Sequence, residues 1–210
     1  MKEGHDPLAD AAVAPSAWNI ANALTLLRIA LVPVFALFLF HDQGADPAWR
    51  VAAAAAFAVA VVTDRVDGEV ARRRGLVTDF GKVADPIADK ALMGTALVAL
   101  SVLGELPWWV TVVVLVREIG ITVLRFVVIR HGVIPASHGG KLKTVLQALA
   151  IGLYLLPLQH WFGGWAVTAQ WWVMLAAVVV TVVTGLDYIV QAVRLRRTSA
   201  RTLAKRAGNA

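Results

Sequence analysis

The stretch "VAAAAAFAVAVVTDRVDGEVARRRGLVTDFGKVADPIADK", Val51–Lys90, decides how the chain folds. It opens on a run with no charge, Val51–Val62, and then carries Asp64, Asp67, Asp85 and Asp89. An apolar run of this kind belongs in a bilayer, and a carboxylate cluster at its end belongs at the boundary with water. The rest of the chain agrees. Of its 210 residues, 59% are hydrophobic and 16% charged, with a mean hydropathy of +0.68. A soluble domain of this length does not need so much apolar surface, so a single polytopic membrane domain is expected.

A span needs about 20 mostly apolar residues. The sequence predicts an all-α membrane protein with six spans, at roughly Ala21–Phe40, Trp49 into the aspartate stretch, Val83–Leu103, Pro107–Ile129, Leu142–Trp161 and Val167–Val193. Pro33 is expected to bend the first. Residues 1–18 have no apolar signal-peptide core and read as a tail or interfacial segment. Residues 19–193 are expected to form one six-helix membrane domain, and 194–210 a basic tail. Basic residues collect on one side: Lys2, the loop after span two, Arg130–Lys143, and the tail from Arg194. The opposite side receives Arg50 and a belt of tryptophans, including Trp108, Trp109, Trp161 and Trp165. The positive-inside rule then places both termini and the aspartates in the cytoplasm. The expected location is a bacterial-type inner membrane. A formal charge of +6 suits anionic lipid headgroups. The basic residues flank apolar segments and form no basic domain, so no nucleic-acid partner is expected. The chain has no cysteine, which excludes disulfides and thiol chemistry.

Asp64 and Asp67 are spaced i, i+3, and Asp85 and Asp89 i, i+4, so each pair shares a helix face. Gly68, Ala71 and Gly81 are small enough to let two helices approach closely. Four carboxylates would then converge at the cytoplasmic ends of spans two and three. Bare anions repel there, and an all-oxygen set suits Mg²⁺ or Mn²⁺. Taken singly, each aspartate reads better as part of a solvated loop. The spacing argues otherwise: Asp64-x2-Asp67-Gly68-x2-Ala71-Arg72-x8-Gly81-x3-Asp85-x3-Asp89.

That pattern resembles the signature of the CDP-alcohol phosphotransferase family at every fixed position. The resemblance implies six spans and two divalent cations held by Asp64, Asp67 and Asp85, with Asp89 as the base that activates the acceptor hydroxyl and a further metal contact. It implies that Gly68, Ala71 and Gly81 make room for the CDP moiety and that Arg72 lies near the diphosphate. "VREIGITVLR" (Val116–Arg125), "GKLKTVLQ" (Gly140–Gln147) and Asn22-x2-Thr25-x2-Arg28 are similar to the phosphatidylglycerophosphate-forming branch. That likeness spans roughly Asn19–Ala150. It implies CDP-diacylglycerol and sn-glycerol 3-phosphate as substrates. Asn22 and Thr25 would meet the CDP-lipid, and Arg28, Arg117, Arg125, Lys141 and Lys143 the acceptor phosphate. Family members often form homodimers, an option that extends to this chain.

Arg117 and Arg125 lie eight residues apart inside an apolar run, an offset of about 80° at 100° per residue, so both can face one cavity. Read without the family, Arg117 could instead pair with Glu118 or Asp187. The chain departs from the branch at Ala21, where proline is usual, at Arg65, where an aromatic is usual, and at Glu69. Arg65 and Glu69 could pair away from the metals. These departures leave other acceptors open: phosphatidylglycerol, giving cardiolipin, or an inositol phosphate. A cation-coupled transporter is the distant alternative. It expects carboxylates along a path through the bilayer, whereas these crowd at one end.

Overall fold

A computed structural model describes residues 20–74, 79–128 and 138–198, with side chains over 22–65, 84–128 and 140–196. All of the described regular structure is helical. Helix α1 spans Ile20–Phe40 and runs through Pro33. A tight turn, His41–Gly44, reverses the chain through Asp42 and Gln43, both at positive φ. His41 stacks on Trp49 with ring centroids 4.4 Å apart.

Helix α2 spans Pro47–Arg74. Proline suits a first helical position because its missing N–H has no intrahelical partner there. Asp46 caps the helix, its Oδ1 accepting from Ala48 N–H at 2.8 Å. Helix α2 continues through Asp64 and Asp67, so the first aspartate pair stands on a helix, as its i, i+3 spacing requires. Helix α3 spans Asp79–Val102 and begins one turn earlier than the apolar pattern suggested. Gly104, at φ 75°, closes α3, and Glu105 N–H donates to Leu100 O at 3.0 Å. This is the left-handed stop that glycine makes without strain.

Helix α4 spans Trp108–Val128 and α5 spans His138–Leu155. The fifth apolar run was expected to reach Trp161 unbroken, but α5 stops before Pro157. A proline restricts the residue before it and donates no N–H, so the helix ends there. A short helix, α6 (Leu158–Phe162), follows. Helix α7 spans Gly164–Thr198 and outruns the expected Val167–Val193 at both ends.

Helix α1 packs on α2 and α3, while α7 packs on α4 and α5. Ala53, Ala56 and Ala60 are buried on one face of α2. Their small side chains let helix backbones approach closely. Phe35 and Leu39 of α1, Leu97 and Leu100 of α3, Ile151 and Leu155 of α5, and Met174 of α7 share one core. Other large apolar side chains point outward: Leu37 is 72% exposed and Phe126 71%. Outward greasy faces around a packed interior suit a protein solvated by lipid. Among the described residues, three segments are long and apolar enough to cross a membrane: Asn22–Gly44, Pro47–Arg65 and Gly164–Arg196.

Polar contacts gather at two opposite ends. At one, Arg50 of α2 donates to Glu105 Oε2 at 2.6 Å, to Tyr154 O at 2.5 Å and to Leu155 O at 3.3 Å. It thereby joins the start of α2, the α3–α4 turn and the end of α5. The other end holds the aspartates.

Candidate active site

Asp64 sits near the end of the apolar part of α2, and Asp85 in the second turn of α3. A buried arginine of α1 brings them together. Arg28 Nη1 lies 2.6 Å from Asp64 Oδ1 and 4.0 Å from Asp85 Oδ1. Thr25, one turn earlier on α1, donates to Asp85 Oδ1 at 2.6 Å. Asn22, another turn back, is buried. The i, i+3, i+6 face of α1 therefore supports the carboxylates. Arg28, expected at the acceptor phosphate, lies against Asp64 and Asp85 and does not line the larger cavity described below. A fully buried guanidinium needs nearby anions, and these two carboxylates supply them.

The donor set fits divalent cations. Asp64 and Asp85 reach one point of positive charge between α2 and α3, and both offer only oxygen ligands. Among the described residues, no group of three or more histidines, aspartates or glutamates is gathered closely enough to hold an ion. The expected set also includes Asp67, which falls on α2 outside the described side chains. The same is true of Gly68, Ala71 and Arg72 on α2 and of Gly81 on α3.

Asp89, one turn after Asp85, opens onto a cavity of about 620 Å³. Arg117, Arg125, Lys141 and Lys143 all line it, so the four cations expected around an acceptor phosphate meet beside the expected base. Two of them are already engaged. Arg117 donates through Nε to Thr181 O and through Nη2 to Thr184 Oγ1, both at 3.1 Å, which fixes α4 to α7. Its Nη1 lies 3.1 Å from Glu118 Oε1. Gly185 makes this seat possible: a Cβ there would lie 3.1 Å from Arg117 Cγ and 3.2 Å from Nε. Lys143 is buried and forms an ion pair with Glu118. Arg125 lies over the Tyr188 ring, 5.9 Å from its centroid.

Glu118, anticipated only as a possible partner of Arg117, is the centre of a wider ion cluster that the sequence did not reveal. Its carboxylate meets Arg117 of its own helix and Lys143 of α5, and lies 3.8 Å from Lys90 of α3. The only signal for it was an acid beside an arginine within an apolar run, which marks an intramembrane ion cluster. A smaller pocket of about 120 Å³, lined by Met93, Leu97, Val114 and Leu115, adjoins the same Asp89, Glu118 and Lys143. Arg65 also lines the large cavity and does not face away from it. Polar and apolar surfaces thus meet at Asp89.

A family model described as CDP-alcohol phosphatidyltransferase matches residues 18–183. A protein of Mycobacterium tuberculosis named probable phosphatidylglycerophosphate synthase is 58% identical over 176 residues, 84% of this chain and 82% of that one. The Bacillus subtilis CDP-diacylglycerol–glycerol-3-phosphate 3-phosphatidyltransferase is 38% identical over 184 residues, 81% of this chain and 93% of that one. A Streptomyces coelicolor cardiolipin synthase (CMP-forming) is 31% identical over 193 residues, 85% of each.

Proposed function

The chain belongs to the CDP-alcohol phosphatidyltransferase family, and from that premise we propose that it transfers a phosphatidyl group from CDP-diacylglycerol to sn-glycerol 3-phosphate, giving phosphatidylglycerophosphate and CMP. The observation that carries the choice of acceptor is the cation-lined cavity beside Asp89. Clustered arginines and lysines suit a small phosphate-bearing alcohol. The names of the relatives at 58% and 38% identity agree with this reading.

Each residue then has a task. Asp64, Asp67 and Asp85, with Asp89 beside them, would hold two divalent cations, Mg²⁺ or Mn²⁺. When bound, such ions neutralise the diphosphate and the departing phosphate. Arg28 and Thr25 keep Asp64 and Asp85 oriented. Asn22, Thr25 and Arg72, with the space left by Gly68, Ala71 and Gly81, receive the CDP-lipid. Asp89 takes the proton from the acceptor hydroxyl as its oxygen attacks the phosphorus nearest the lipid. The bond from that phosphorus to the CMP oxygen breaks, and no covalent enzyme intermediate forms. Lys141, Lys143 and Arg125 draw the acceptor phosphate into the cavity, and Arg117 shapes its wall.

The same reading gives six spans with both termini and the site on the cytoplasmic side of an inner membrane. It is supported by six long helices and by basic residues at the aspartate end. The test is an acceptor panel on purified protein with CDP-diacylglycerol and Mg²⁺ or Mn²⁺. Release of CMP that depends on glycerol 3-phosphate is expected. Cardiolipin made from phosphatidylglycerol, with glycerol 3-phosphate inert, would overturn the choice of acceptor. Cation uptake without CMP release would overturn the enzyme reading altogether.

A further inference from the structure

We propose that Arg65, the residue directly after the first aspartate of the signature, is a further binding residue for the acceptor phosphate and sets the preference for phosphate-bearing alcohols. The proposal rests on the reaction given above and assigns a side chain to its acceptor site.

Six cations line the 620 Å³ cavity: Arg65, Lys90, Arg117, Arg125, Lys141 and Lys143. Three of them belong to the Glu118 cluster. Lys143 and Arg117 pair with its carboxylate, and Lys90 lies 3.8 Å away. An incoming phosphate must compete with Glu118 for those three. Arg65, Arg125 and Lys141 lie outside that cluster and are exposed. They come from three different helices, α2, α4 and α5, and so surround the cavity. The threonine hydroxyls offer little alternative. Thr122 donates to Glu118 O at 2.8 Å, Thr144 to Gly140 O at 3.1 Å, and Thr184 to Val180 O at 2.7 Å. Anion recognition therefore falls to the outer cations. Of these, Arg65 alone stands on the helix that carries Asp64. A guanidinium there can hold phosphate through two parallel N–H donors while the acceptor hydroxyl points at Asp89. It also adds a cation where the pattern usually has an aromatic residue.

The experiment compares wild type, Arg65→Gln and Arg65→Lys in purified form, with apparent KM measured separately for glycerol 3-phosphate and CDP-diacylglycerol. Losing one charged hydrogen-bonding partner should raise the KM for glycerol 3-phosphate about tenfold in Arg65→Gln. The KM for CDP-diacylglycerol should stay within about twofold, and Arg65→Lys should recover part of the loss. Calorimetric titration with glycerol 3-phosphate should show the same weakening without turnover. A rise confined to CDP-diacylglycerol would place Arg65 on the diphosphate and overturn the proposal, as would no change in either KM. Wild-type protein that makes product from glycerol 3-phosphate, with Arg65→Gln unaffected, defeats this assignment alone. Wild-type protein inert toward glycerol 3-phosphate defeats the reaction and this assignment together. If Arg65→Gln does not purify folded, Arg65→Lys decides by the same split, with a rise of about threefold expected for glycerol 3-phosphate only.

Discussion

Asp89 and Asp64 show what a single carboxylate can and cannot reveal before the fold is known. Their spacing on helices was legible, because residues three and four apart share a face whatever surrounds them. Asp89→Asn should cut turnover by about a hundredfold or more, the usual scale for losing a general base. Calorimetric binding of CDP-diacylglycerol should survive in that variant, and full turnover would remove Asp89 from its role. Partnerships across the sequence were not legible in the same way. Lys143 and Glu118 lie 25 positions apart, and no periodicity joins them. Arg28 looked like a phosphate ligand by pattern, but its burial between Asp64 and Asp85 gives it a supporting role. Gly185 was silent in the sequence because its value lies in what it leaves room for. Gly185→Ala would press a Cβ against the Arg117 side chain, and overpacking of this kind costs about 1–3 kcal/mol. The loss should appear as an earlier midpoint in chemical denaturation. An unchanged midpoint would mean that Arg117 re-seats freely.

Elements were legible to the extent that their ends obey local chemistry. The Asp46–Pro47 cap, the Gly104 stop and the break at Pro157 are each written in one or two residues. The break was nonetheless overlooked, because the apolar run continues through Leu156-Pro157-Leu158 and hydropathy alone does not register a missing N–H. What holds the ends of different elements together was less legible. Arg50 was read as an isolated charge on the sparse side of the protein. It fastens Glu105 and the carbonyls of Tyr154 and Leu155, which α5 leaves without helical partners at its C-terminus. Arg50→Gln removes a partly buried ion pair and these donors together, an effect of about 1–2 kcal/mol. At this chain length that lowers the apparent Tm by roughly 4 °C. Because the node lies at the end away from the aspartates, turnover measured well below the Tm should match wild type. Loss of turnover with an unchanged Tm would show that the two ends communicate.

At the scale of the molecule, the two polar ends define a direction, and the direction makes the chemistry feasible. Arg28 of α1 and Thr184 of α7 both stand on the aspartate side, whereas Arg50, Glu105 and Leu155 meet at the other end. The proposed topology, in which successive long helices alternate in direction across the membrane, therefore predicts an even number of crossings. An α-helix rises 1.5 Å per residue, so the 35 residues of α7 extend about 52 Å, well beyond a hydrocarbon layer of about 30 Å. The proposed topology has that excess emerge at the basic end, around Arg194 and Arg196. That end should face the anionic cytoplasmic leaflet, where CDP-lipid and soluble acceptor meet. The cysteine-free chain permits a direct check. Arg194→Cys and Gln159→Cys place single thiols at exposed positions near opposite ends. In right-side-out cells, a membrane-impermeant maleimide should label Gln159→Cys and spare Arg194→Cys until the membrane is opened. In inside-out vesicles the order should reverse. Labelling of both positions from one side would mean an even number of crossings between them, so that α7 does not span the membrane. Reversed labelling would put the carboxylates and the cationic cavity on the face away from the cytoplasm, where a cytoplasmic acceptor could not reach Asp89.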